Sequence, residues 1–101
     1  MIKKQTLKTK PVCKVTFGLS KKETEGASRV NLVGEFNGWN TSETQLTKTK
    51  SGDFKIVLPL DTGKAYQFRY LIDGDRWLND SEADSYTPSG VGNESNGVVE
   101  L

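Results

Sequence analysis

The chain has 101 residues, 34% of them hydrophobic and 27% charged, with a net charge of +1. This length predicts one domain with a modest core that folds without disulfide staples. It has no histidine and one cysteine, which excludes the histidine-dependent triads and the usual structural zinc sites.

No apolar run approaches the ~20 residues of a membrane span. The lysine- and threonine-rich start lacks the apolar stretch of a secretory signal. The lone Cys13 cannot close an internal disulfide, so a cytoplasmic setting with no membrane partner is expected. Charge divides along the chain: residues 1–60 carry 11 Lys and Arg against 5 Asp and Glu, and residues 61–101 carry 3 against 8. Lys3, Lys4, Lys8, Lys10 and Lys14 make the start basic, and residues 1–9 are expected as a solvated tail ahead of a domain over 10–101. The first sixteen residues hold no arginine or aromatic side chain, so no nucleic-acid partner is expected.

From residue 12 the periodicity is that of β structure. Residues 12–19 place Cys13, Val15, Phe17 and Leu19 on one face. A polar segment, 20–28, leads to a strand over 29–33 with Val30 and Leu32 inward. Gly34 then opens the run GEFNGWN, where Asn37-Gly38 signals a turn. Residues 44–50 are polar and β-prone, as suits an edge. Residues 54–60 alternate Phe54, Ile56, Leu58 and Leu60, and Pro59 restricts that end to an edge or bulge. Residues 65–72 send Tyr66, Phe68, Tyr70 and Ile72 inward and Gln67, Arg69 and Leu71 outward. A turn at Asp73-Gly74-Asp75 leads into Arg76-Trp77-Leu78, a polar loop spans 79–95, and a last strand covers 96–101. About seven short strands with almost no helical periodicity predict an all-β, immunoglobulin-like sandwich.

Neither Trp39 nor Trp77 falls on the inward face of a long strand. A hairpin closed at Asp73-Gly74-Asp75 puts Trp77, Arg69 and Leu71 on one face, and Trp39 joins them if its loop lies nearby. Indole faces flanked by polar groups suit a pyranose: the ring stacks on the sugar's C–H face while Arg69, Gln67, Asn37, Asn79 or Asn96 meets its hydroxyls. The opposing reading makes both tryptophans core plugs, since Trp is highly buried on average.

The run VNLVGEFNGWN, the run YQFRYLIDGDRWLNDSEAD and the final N-x-VVxL strand together resemble the family 48 carbohydrate-binding module. This early-set sandwich accompanies isoamylases, pullulanases and glycogen-branching enzymes and forms the glycogen-binding domain of the AMP-activated protein kinase β subunit. The resemblance covers roughly residues 10–101. It implies non-catalytic binding of α-1,4-linked glucan (glycogen, starch or maltooligosaccharides), with no cofactor and with a glycogen-metabolising enzyme as a partner in trans. Residue by residue, it implies stacking by Trp39 and Trp77 and hydrogen bonding by Arg69 and Asn96, with Val91 matching an apolar residue that presses on the sugar. Asp75-Arg76 adds one residue before the second indole, so that ring is expected to shift by a position.

The acidic residues Asp73, Asp75, Asp80, Glu82 and Asp84 lack the ligand spacing of a calcium loop and are expected to form a solvated turn. Cys13 is expected in the core. A protein-interaction domain of the same sandwich class, using the aromatic patch or the 44–50 edge, is the alternative to sugar binding.

Overall fold

The computed structural model describes residues 1–90, 92 and 94–101. Two antiparallel sheets face each other. One contains β1 (Ile2–Thr6), β2 (Val12–Leu19), β5 (Phe54–Asp61) and β4 (Thr47–Lys48) in the order β1-β2-β5-β4. The other contains β3 (Val30–Gly34), β6 (Ala65–Ile72), β9 (Ser95–Glu100) and β8 (Ser85–Pro88) in the order β3-β6-β9-β8, and β7 (Arg76–Leu78) also pairs with β6.

The expected alternation holds where it was strongest. Cys13, Val15, Phe17 and Leu19 from β2 meet Phe68, Tyr70 and Ile72 from β6 across the interior, joined by Val30, Leu32, Phe54 and Val99. Phe17 and Phe68 pack edge to face with centroids 5.1 Å apart, and Phe68 meets Tyr70 in the same manner at 5.8 Å. Each such ring pair adds about 0.5–1.5 kcal/mol beyond its burial. β4 spans two residues and pairs only with the start of β5. The Pro59 end of β5 therefore has a neighbour on one side only, where the absent N–H is tolerated.

Four features depart from the sequence expectation. Residues 2–6 are not a tail: β1 pairs with β2 from Ile2↔Phe17 to Thr6↔Cys13. β8 emerges from the polar 79–95 segment, which brings the strands among the described residues to nine. Both lie at sheet edges and bury almost nothing, so they leave no apolar period to read. Within 20–28 the chain makes a short helix, α1 (Lys21–Thr24). It is fixed by a capping box in which Ser20 Oγ accepts from Glu23 N at 3.0 Å and Glu23 Oε1 accepts from Ser20 N at 2.9 Å.

The fourth departure is Asp80, which is fully buried rather than solvated. Its Oδ2 accepts from the Tyr70 hydroxyl at 2.7 Å and from the Met1 α-ammonium at 2.9 Å, and its Oδ1 accepts from Glu82 N at 2.8 Å. Burial, followed by the Asp80 charge, pushes the Tyr70 phenol far above its ordinary value. The hydroxyl thus stays protonated and donates at all working pH. We expect Tyr70→Phe to leave Asp80 short of a donor and lower stability by about 1–3 kcal/mol in urea unfolding, with the secondary structure unchanged.

Asp84 ties the two sheets together at their edges. Its Oδ2 accepts from Lys4 Nζ at 2.6 Å and from Glu100 N at 2.7 Å. Partial burial pushes its carboxyl up, but these two donors outweigh that and hold it below the usual carboxylate range. A carboxylate depressed in the folded state stabilises above its unfolded value, and that contribution is lost as pH falls through the folded value. Asp84→Asn should therefore cost under ~1 kcal/mol at pH 7. In denaturation curves taken at decreasing pH, the gap from the parent should close below about pH 4.

Candidate functional site

Each residue of GEFNGW has a separate task in placing Trp39. A Cβ at Gly34 would lie 2.6 Å from Gln67 O and 2.8 Å from Phe68 Cβ, so only glycine lets β3 run this close to β6. Residues Glu35–Asn37 form one 3₁₀ turn. Glu35 Oε1 accepts from Gln67 N at 2.6 Å and pins that turn to β6. Phe36 turns inward against Phe17, with ring centroids 5.8 Å apart. Asn37 Oδ1 accepts from Gly34 N, while its Nδ2 donates to Leu32 O and Thr44 Oγ1. Asn37 is therefore a brace for the loop and not a rim donor. Gly38 and Trp39 both take positive φ, 64° and 60°. For a bulky residue such as Trp39 this is an outlier, held by the surrounding bonds.

The second indole is placed by the way β6 shares its edges. β3 pairs along one edge of β6. Along the other edge, β9 pairs as far as Phe68↔Gly97 and β7 begins at Tyr70↔Leu78. Arg69 sits at the changeover. Its Nε donates to Ser95 O at 3.1 Å, its Nη1 lies 3.6 Å from Glu94 Oε2, and its guanidinium carbon is 5.9 Å from the centre of the Trp77 ring. Asn79 fixes the same junction by donating from Nδ2 to Ser95 O and accepting from Gly97 N.

The additional residue before Trp77 does not displace the ring from this face. Asp73 and Gly74 both take positive φ, as a type I′ turn requires, and Asp75 N closes the turn on Ile72 O at 3.1 Å. The register Leu71↔Trp77 results. Asp73 Oδ1 also accepts from Ser28 N and Arg29 N at 2.9 Å each, anchoring the hairpin to the start of β3.

Trp39 and Trp77 are 39% and 42% exposed, so neither is a core plug. Both line one open cavity of about 460 Å³, with Arg69, Asn96 and Gln67. Asn96 Nδ2 donates to Gln67 Oε1 at 3.1 Å, which orients both amides. Of the remaining expected residues, Leu71 is buried at 6% exposure and is not among the lining residues. It shares the face of Arg69, but burial takes it out of the exposed patch. Val91 lies outside the described residues.

Glu35, Glu94 and Ser89 complete the lining, and sequence reasoning did not single them out. Glu35 had a visible signal in its place inside the GEFNGW run. Glu94 and Ser89 belong to the polar 79–95 segment, whose path no periodicity reveals.

The family model described as the glycogen recognition site of AMP-activated protein kinase matches residues 22–99. Among curated relatives, Protein PTST homolog 2, chloroplastic, of Arabidopsis thaliana is 36% identical over 67 residues, covering 66% of this chain and 12% of that protein. Cruciform DNA-recognizing protein 1 of Saccharomyces cerevisiae is 28% identical over 79 residues, covering 75% of this chain and 17% of that protein. The chain thus spans only a small part of these relatives. Among solved structures, the enterobactin esterase FES from Shigella flexneri superposes with a TM-score of 0.75 over 99% of this chain and 32% of that one, at 10% identity. That is a likeness of fold alone. A match that takes in the GEFNGW turn, the Arg69 junction and both exposed indoles places the chain in the glycogen-recognition family of carbohydrate-binding modules.

Proposed function

We propose that the domain binds α-1,4-linked glucan, as glycogen, starch or maltooligosaccharide, without acting on it chemically. The observation that carries this reading is the pair of half-exposed indoles on one cavity with the Arg69 and Asn96 side chains beside them. The cavity volume is of the size of small-ligand sites, roughly 300–1,000 Å³. Trp39 and Trp77 would stack on consecutive glucoses, and Arg69 and Asn96 would bond to their hydroxyls. Two stacks and a few hydrogen bonds give micromolar to millimolar affinity, on the order of −4 to −8 kcal/mol.

Glu35 and Glu94 are both engaged, one by Gln67 N and the other by Arg69. The reading extends to a cytoplasmic setting in which the domain brings glucan to a glycogen-metabolising enzyme in trans. The name of the yeast relative raises DNA as a second ligand, but two carboxylates in the cavity oppose a phosphate backbone there.

Titration of tryptophan fluorescence with maltoheptaose should give a saturable change. Silence from the folded domain would favour the protein-interaction alternative, and salt-dependent retention of a DNA duplex would favour the nucleic-acid one. In a native gel containing glycogen, Trp77→Ala should lose retardation while its unfolding midpoint stays close to the parent's, since the ring is 42% exposed. Trp39→Gly relieves a positive φ, which offsets part of the packing lost with the ring, and should stay folded yet also lose retardation. Parent-like migration of Trp77→Ala would refute the site.

A further inference from the structure

We propose that this cavity discriminates by charge: it accepts uncharged glucan and amino-substituted glucan and rejects chains carrying phosphate monoesters. The inference rests on the glucan reading above. Among its described lining residues the cavity holds two carboxylates, Glu35 and Glu94, and one cation, Arg69. Its charge is already paired with one of the protein's own carboxylates. Its Nε is bonded to Ser95 O, its Nη1 faces Glu94 at 3.6 Å, and its guanidinium carbon lies 5.9 Å from the centre of the Trp77 ring. The Arg69 side chain is only 10% exposed, whereas the Glu94 side chain is 60% exposed. An incoming ligand therefore meets the carboxylate of this pair before the guanidinium. Across the cavity Glu35 is held in place by Gln67 N at 2.6 Å and cannot swing away without losing that bond.

A phosphate monoester carries about −1.5 to −2 charges at neutral pH. A bidentate arginine would be the natural receptor for it, but here Nε already donates to a carbonyl and Nη1 faces the protein's own carboxylate. Binding would place the phosphate beside like charge and make it compete with Glu94 for the described cation of the cavity. Hydroxyl groups of a neutral sugar meet no such opposition, since carboxylates accept hydrogen bonds from them readily. An ammonium in place of one hydroxyl gains an attraction.

The test compares three probes by tryptophan fluorescence at low salt: maltoheptaose, maltoheptaose phosphorylated at glucose C6 hydroxyls, and maltoheptaose with an amino group replacing one C6 hydroxyl. The phosphorylated chain should bind about tenfold more weakly than the neutral one, and the amino chain at least as tightly as the neutral one. Raising the ionic strength to 0.5 M should shrink the phosphate penalty, because screening weakens charge but leaves steric effects unchanged. Glu94→Gln removes one carboxylate and releases Arg69, so the same penalty should fall several-fold. Equal or tighter binding of the phosphorylated chain overturns the inference, as does a penalty untouched by both salt and Glu94→Gln. If neutral maltoheptaose does not titrate either, the glucan reading falls and this inference falls with it.

Discussion

Strand β6 presents Phe68, Tyr70 and Ile72 to the interior and Gln67, Arg69 and Leu71 to the other side, and this two-residue period carries both the core and the site. The core face cannot slip without sending three large side chains into water. Arg69 is thereby fixed at the point where β9 leaves β6 and β7 joins it. A strand packed this tightly on one side gives the opposite side a rigid floor. The guanidinium, the Gln67 amide and the Trp77 ring are placed by the same residues that hold the sheets together.

Loop residues are tied to that floor by polar bonds rather than by further burial. Glu35 reaches Gln67 N, Asn79 spans Ser95 and Gly97, and Asn37 closes the turn before Trp39. Together these bonds offset the left-handed backbone at Trp39, a conformation that costs roughly 1–2 kcal/mol. Strain held by its surroundings is common where a side chain must be shown to a ligand. A loop fixed before binding also has little ordering left to lose when a flexible ligand arrives.

Much of this was legible in the amino-acid order, for physical reasons that differ between elements. The inward runs of β2 and β6 are readable because burial on one face forces a period of two. Trp39 and Trp77 stand out because they fall off that period, and Asn37-Gly38 and Asp73-Gly74 because positive φ selects few residue types. β1 and β8 are hidden because an edge strand stabilised by backbone bonds places no demand on side-chain pattern. Asp80 looks like any acidic loop residue, since its burial depends on Tyr70 from a distant strand and on the chain's first residue. Leu71 was placed on the correct face, but periodicity says nothing about what else covers that face.

The uneven charge of the two halves of the chain also acquires a spatial meaning. Lys3, Lys14 and Lys55 share the outer face of the β1-β2-β5-β4 sheet and are exposed there. The cavity lies on the outer face of the other sheet, where its described cation faces Glu94. At ordinary ionic strength the screening length is about 8–10 Å, shorter than a two-sheet sandwich with its side chains, whose packed sheets alone lie ~10 Å apart. The lysine face therefore contributes little to the potential at the indoles. Three of the first half's basic side chains thus belong to one sheet's surface, and under the proposed binding the carboxylates beside the tryptophans are the charges a ligand meets.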